Sequence, residues 1–195
     1  MNDTLSDVPP DERAEGTRGG VLVLGLGNVL LGDDGIGAAA VDRLERDYRI
    51  PSEVRLVEGG TLGLSLLAEI AEAQHVILVD AVATDAPPGT LVRLDGADVI
   101  DAVRDRLSVH QVGVADLLNA ARLIGRYPVS VVLLGLVPGL IGLGVGRTHA
   151  VDAAIDALVA AVLREVQTLG YELLLRPQDC AGDRPIHALT RHFGM

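Results

Sequence analysis

Three short, unbroken runs of apolar residues limit the fold of this chain more than any other feature. They cover residues 21–26, 76–79 and 131–136, the last of them within a predicted strand over 129–136. A strand with one face in water alternates apolar and polar side chains, whereas an unbroken run is typical of a strand buried on both faces. Such strands belong to parallel sheets with helices on each side.

Segments with apolar residues at helical spacing separate these runs. They predict helices over 36–48, 62–73, 114–124 and 151–166, and a short one over 98–107. Thr61 and Thr148 are expected to cap helices, and Gly170 to end one. Residues 54–57 predict a further strand, and residues 90–94 an edge strand after the turn at 87–89.

Alternating strands and helices predict a three-layer α/β/α sandwich with a mostly parallel sheet. We expect a single domain over 21–170. The polar segment 1–20, which lacks an apolar signal region, is expected to be a disordered leader, and 171–195 a loose tail. The uncharged stretch 127–146 has the length of a membrane span, but Pro138 and its glycines favour a buried strand and a glycine-rich loop.

Composition excludes several classes of partner. The net charge is −11 and only 2% of residues are aromatic. The chain has no lysine, so all 16 of its basic residues are arginines. Binding to nucleic acid or to an anionic membrane surface favours the opposite charge balance, so neither is expected. The single cysteine, Cys180, excludes an internal disulfide and indicates a reducing compartment, the cytoplasm.

Ligands of open α/β sheets bind beyond the carboxyl ends of the strands. Three predicted loops there carry reactive groups: the glycine-rich segment 25–37, the pair Asp80-Ala81, and the segment 108–113 around His110. The first loop resembles a dinucleotide fingerprint, but its third glycine position holds Leu30 and an acidic pair, Asp33-Asp34, follows. These departures weaken the nucleotide-binding hypothesis without removing it.

A divalent cation suits these side chains better. Asp34, Asp80 and His110 come from three separate loops and offer carboxylate oxygens and an imidazole, which bind Ni²⁺, Zn²⁺ and related ions. Three protein ligands leave positions open for water or substrate. Each residue also has a plainer interpretation, as a helix cap or as a hydrogen-bonding group of a loop. The spacing of the three residues alone therefore does not decide whether they form a metal site.

Four short motifs follow one another along the chain: Gly25-x-Gly27-Asn28 with Asp33-Asp34-Gly35-x-Gly37, Glu58-Gly59-Gly60-Thr61, Asp80-Ala81, and His110-Gln111-x-Gly113. Together they resemble the motifs of the nickel–iron hydrogenase maturation endopeptidases. Their order and spacing agree with the family from residue 21 to 169. The resemblance implies a twisted five-stranded sheet and removal of a C-terminal extension from the hydrogenase large-subunit precursor after nickel insertion.

The resemblance also implies roles for single residues. The family's metal-contacting and catalytic positions fall on Asp34, Asp80 and His110, and Asp33 falls on a loop or cap position. The loops expected to line the substrate cleft hold Gly27, Asn28, Gly59, Gly60 and Thr61. One departure stands out, because many members have Pro-Glu where this chain has Pro138-Gly139.

Two mechanisms fit the same three residues. In the first, they recognise nickel already held by the substrate's thiolates; in the second, a bound metal also activates water. Because the set lacks soft ligands, we expect the isolated protein to bind nickel or zinc weakly. Cys180 lies in the expected loose tail, Ser65 is expected on a helix, and Ser108 is near His110 in sequence without an identifiable third group. These positions disfavour a serine or cysteine protease. A non-catalytic chaperone of the large subunit is the alternative from another class.

Overall fold

The computed structural model describes residues 19–60, 63–96, 98–99, 112–144 and 146–177. Within them the strands are β1 (Val21–Leu26), β2 (Tyr48–Arg49), β3 (Val54–Gly60), β4 (His75–Ala81), β5 (Leu91–Asp95), β6 (Ser130–Leu136) and β7 (Leu174–Leu175). The α-helices are α1 (Ile36–Asp47), α2 (Leu67–Glu72), α3 (Val112–Leu123) and α4 (His149–Thr168), and 3₁₀ turns cover Asp33–Gly35 and Gly63–Leu66.

Five strands form the central sheet in the order β3-β1-β4-β6-β5. The first four are parallel, and β5 is antiparallel to β6 at the edge of the sheet. Leu24 of β1 lies opposite Val57 of β3 and Leu78 of β4, which aligns the carboxyl ends of these three strands. The predicted five-stranded, mostly parallel sheet is therefore confirmed.

Helices cover both faces of this sheet. Val21 and Val23 point into a core shared with α1 and α4, whereas Leu22 and Leu24 point into a core shared with α2 and α3. Because successive strand residues alternate between faces, two buried faces require an apolar residue at every position. The unbroken apolar runs thus correspond to the middle layer of the predicted three-layer sandwich.

Several boundaries differ from the predictions. Strand β3 extends three residues beyond 57, to Gly60, and the helix predicted over 62–73 begins as a 3₁₀ turn with only Leu67–Glu72 in α-helix. Most of the helix predicted over 98–107 lies outside the described residues. The segment 171–177, assigned to a loose tail, is attached instead, since β7 pairs with β2 and Arg176 Nε donates to the Tyr48 carbonyl at 2.8 Å.

The uncharged stretch 127–146 forms β6 and a loop, as predicted. In the part of the chain that the structure describes, no helix combines the length and apolar character needed to cross a membrane. Gly170, at φ +90°, follows α4 in the left-handed conformation, which confirms its predicted role in ending this helix.

Candidate active site at the carboxyl end of the sheet

The loop after β1 folds back on itself at Gly27. This residue has φ +104°, and a Cβ built on it would lie 1.8 Å from the carbonyl oxygen of Asp34. Its N–H donates to the Gly60 carbonyl of β3 at 3.3 Å. Only glycine allows this backbone conformation together with so close an approach, so Gly27 brings Asp34 beside the start of the loop.

Asn28 fixes the side chain of Asp34. Its backbone N–H donates to Asp34 Oδ2 at 2.7 Å, and its own Oδ1 accepts the Leu30 N–H at 2.9 Å. The bond to the carboxylate is charge-assisted and short, and Asp34 is only 6% exposed. Asn28, which is predicted to line the substrate cleft, thus contacts the Asp34 carboxylate through its backbone.

Helix α1 begins directly against the ends of two strands. A Cβ at Gly37 would lie within 2.4 Å of backbone atoms of Leu26 and Val79, so a larger residue would push the helix away from β1 and β4. This contact places the turn Asp33–Gly35 on β4, next to the carboxyl end of the sheet. The acidic pair is therefore held where ligands of such sheets bind.

Asp80 is the next-to-last residue of β4, the central strand of the sheet. It is 3% exposed, and its Oδ1 accepts the N–H of Ala81 at 2.7 Å. Burying a carboxylate costs free energy, so core packing does not explain an aspartate at this position. A functional role at the loops beyond the strand would explain it. The structure thus brings Asp34 and Asp80 to the same end of the sheet.

Two predicted site residues, His110 and Thr61, lie outside the described residues. Among the residues that the structure describes, no three His, Cys, Asp or Glu side chains form a group able to hold a metal ion. The three-residue set requires His110, so it stays a prediction. Gly59 and Gly60 belong to the end of β3 instead of a loop; Gly59 packs against Leu24, and Gly60 acts through its carbonyl.

Asp33 has a larger role than the sequence predicts. It is fully buried, and its carboxylate accepts four hydrogen bonds: from Gly139 N at 2.7 Å, Leu140 N at 2.9 Å, Thr148 N at 2.6 Å and Thr148 Oγ1 at 2.8 Å. Burial raises the pKa of this carboxyl, but the bonds from Leu140, Thr148 and Gly139 outweigh it, so the pKa lies below its ordinary value.

Thr148 occupies the N-cap position of α4, as predicted, but its side chain does not cap the helix. The hydroxyl donates to Asp33 instead, and the Thr148 carbonyl accepts the Asp152 N–H at 2.9 Å. Asp33 therefore ties three segments together: the loop after β1, the loop after β6 and the start of α4. A carboxylate that meets segments more than 100 residues away leaves no local signal in the sequence.

The departure at Pro138-Gly139 also has a structural reason. A Cβ at Gly139 would lie 3.1 Å from Thr148 Oγ1 and 3.3 Å from Asp33 Oδ2. These distances are tighter than ordinary van der Waals contact. Glycine at this position lets the backbone N–H approach the Asp33 carboxylate.

The hydrogenase maturation protease family, represented by HycI, has a sequence model that matches residues 38–165. The Hydrogenase 2 maturation protease of Escherichia coli is 36% identical over 157 residues, which cover 80% of this chain and 96% of that protein. The hydrogenase expression/formation protein HupD of Rhodobacter capsulatus is 39% identical over 155 residues, which cover 78% of this chain and 74% of that protein.

Solved structures agree with these sequence matches. The hydrogenase maturating endopeptidase HybD of E. coli superposes with a TM-score of 0.78 at 36% identity, covering 80% of this chain and 98% of that one. The hydrogenase 2 maturation peptidase of a Thaumarchaeota archaeon gives 0.59 at 32% identity, covering 75% and 97%.

The fold, together with these sequence and structure matches, defines an α/β protein of the maturating endopeptidase class. The chain belongs to the hydrogenase maturation protease family and is a peptidase. This assignment confirms the resemblance found in the sequence, and it favours hydrolysis over the nucleotide-binding and chaperone alternatives.

Proposed function

We propose that this peptidase removes the C-terminal extension of a nickel–iron hydrogenase large-subunit precursor after nickel insertion, in the cytoplasm. The observation that carries the proposal is the pair of buried carboxylates, Asp34 and Asp80, at the carboxyl end of the sheet in a chain of this family. The names of the relatives support hydrogenase maturation, and the choice of bond and the use of nickel are our inference.

Nickel enters this proposal as part of the substrate. Asp34, Asp80 and His110 supply two carboxylates and an imidazole, whereas the precursor supplies thiolates that hold the ion. Oxygen and nitrogen ligands without thiolate bind nickel less tightly than a set that includes sulfur. A precursor without nickel then presents no ion to these residues, and its scissile bond is not positioned for cleavage.

The hydrogen bond from Asn28 to Asp34 Oδ2 has a clear purpose under this proposal. It holds the carboxylate in one orientation before substrate arrives. This preorganisation lowers the entropy cost of fixing the side chain when substrate binds. The second mechanism, in which nickel, zinc or another divalent ion also activates the attacking water, uses the same three residues. Dialysis-resistant metal in the purified protein would favour that second mechanism over recognition alone.

The test compares Asp34→Ala, Asp80→Ala and His110→Ala with Asp116→Ala, an exposed aspartate on α3. Each variant is mixed with nickel-loaded large-subunit precursor of the same organism, and the intact mass of the precursor is followed. We expect the three site variants to lose about a hundredfold or more in cleavage rate, and Asp116→Ala to match the wild type.

A second arm uses precursor prepared without nickel, which we expect to remain uncut by the wild type. Cys180→Ser and Ser108→Ala are expected to cleave normally, because the proposal gives them no role. Wild-type cleavage by the Asp34, Asp80 or His110 variants would contradict the assignment of these residues. Cleavage of the nickel-free precursor would contradict recognition through the ion.

A further inference from the structure

Five large aliphatic side chains project into solvent beside the candidate active site. We call this set the apolar rim: Val29, Leu30, Leu140, Ile141 and Leu143. Their exposed fractions range from 50% to 93%. Contiguous exposed apolar side chains on a folded protein are typical of an interaction surface, whereas isolated ones need no explanation.

The two loops that carry the rim form one unit. Gly142 N donates to the Leu31 carbonyl at 3.2 Å, and Gly144 N donates to the Leu30 carbonyl at 3.1 Å. Isolated bridges pair Leu31 with Gly144 and Gly32 with Ile141. These backbone bonds hold the two loops side by side, so the exposure of the rim side chains is a feature of the fold.

The rim is uncharged in an acidic chain. The whole sequence carries 27 acidic and 16 basic residues, yet segments 28–32 and 138–146 contain none of either. A partner segment that covers the rim therefore meets no ionic group from these two segments, and burying a charge of its own against them would be costly. Charge complementarity selects an uncharged, apolar partner segment.

The rim is continuous with the candidate active site. Asp33 accepts the N–H of Leu140, and the Asp33 N–H donates to the Leu140 carbonyl at 3.1 Å, while the next residue is Asp34. A polypeptide that brings a peptide bond to Asp34 thus passes within a residue or two of the rim. The occupant most consistent with this continuity is the protein substrate of the peptidase.

We infer that the apolar rim is the docking surface for an uncharged, apolar segment of the large-subunit precursor, next to the bond that is cut. The inference rests on the proposed function for the identity of the substrate. The rim residues contribute to binding of the precursor and not to the chemical step. They supply recognition of the folded precursor in addition to recognition of its nickel.

The test uses the double variant Leu140→Ser/Leu143→Ser and a matched control, Leu123→Ser/Ile124→Ser, whose leucine and isoleucine are exposed at the opposite end of the sheet. Both are checked for wild-type thermal unfolding and then assayed with nickel-loaded precursor. We expect KM to rise about tenfold or more in the rim variant, with kcat nearly unchanged, and the control to keep the wild-type KM.

A binding measurement separates this inference from the proposed function. Precursor binding is measured on Asp34→Ala with and without the rim substitutions. Binding that weakens about tenfold with them supports the rim, even if the wild type does not cut this precursor and the proposed function fails. Equal binding overturns the inference. Dissociation of a wild-type dimer by the rim substitutions, with precursor binding unchanged, would assign the rim to a second copy of this chain.

Discussion

The two ends of the central sheet expose similar aliphatic side chains but are built differently. At the amino end, Leu123, Ile124 and Val129 border the simple turn between α3 and β6. At the carboxyl end, the rim loops are tied to the domain by a buried aspartate. Among the described residues, the three buried charged side chains, Asp33, Asp34 and Asp80, all lie at the carboxyl end.

This difference shows which exposed apolar residues carry functional information. A buried carboxylate destabilises a fold unless hydrogen bonds or a ligand compensate. The amino end keeps none in the described part of the molecule, so its exposed leucine and isoleucine are ordinary surface residues. At the carboxyl end, exposed aliphatic side chains lie next to buried carboxylates, whose burial costs free energy. This combination is expected at a binding site.

The glycines of the two ends provide the strongest test of this contrast. Gly27 and Gly125 both have positive φ, but a Cβ at Gly27 meets the Asp34 carbonyl at 1.8 Å, whereas one at Gly125 meets nothing within 4 Å. We expect Gly27→Ala to lose more than about 3 kcal/mol in free energy of unfolding, and Gly125→Ala only about 1 kcal/mol. Urea unfolding measures both, and equal losses would contradict the contrast.

Asp33 carries the next largest expected effect. In Asp33→Asn, one oxygen becomes an amide N–H₂ that faces donors already pointing at it, from Gly139, Leu140 or Thr148. We expect a loss of about 3 kcal/mol in free energy of unfolding, because charge-assisted bonds are lost and donors are left unpaired. The exposed control Asp116→Asn is expected to stay within about 0.5 kcal/mol of the wild type.

The pH dependence of stability follows from the same carboxylate. Its pKa lies below the ordinary value of 3.8, so the unfolded chain takes up the proton at a higher pH than the folded one. The stabilisation is complete above the ordinary aspartate value and is lost as pH falls through the lower, folded-state pKa. We expect the stability gap between wild type and Asp33→Asn to shrink between about pH 5 and about pH 2 in urea unfolding series. A gap independent of pH would contradict this account.

The sequence predicts the layers of this fold well because they depend on local patterns. Unbroken apolar runs locate β1, β4 and β6, because these strands are buried on both faces. Helical spacing of apolar residues locates α1 and α4, because each helix buries one stripe of side chains. The β2–β7 pair cannot be predicted in this way, because two-residue strands carry no periodicity. The role of Asp33 cannot be predicted locally either, because its four hydrogen-bond donors belong to residues 139–148, more than 100 residues away.

Gly139 has the smallest expected effect and tests how closely the rim is coupled to Asp33. A Cβ at Gly139 would lie 3.1 to 3.3 Å from Thr148 Oγ1, Asp33 Oδ2 and Pro88 Cβ. The hydrogen bonds that Asp33 Oδ2 accepts leave this oxygen little freedom to move. We expect Gly139→Ala to destabilise the protein by about 1 kcal/mol. Gly142→Ala, in the same loop but with nothing within 4 Å of its Cβ, should stay within about 0.5 kcal/mol. If urea unfolding shows the two variants to be equal, close approach to Asp33 is not the reason for glycine at 139, and the loop after β6 is held by its backbone bonds to Leu30 and Leu31 instead.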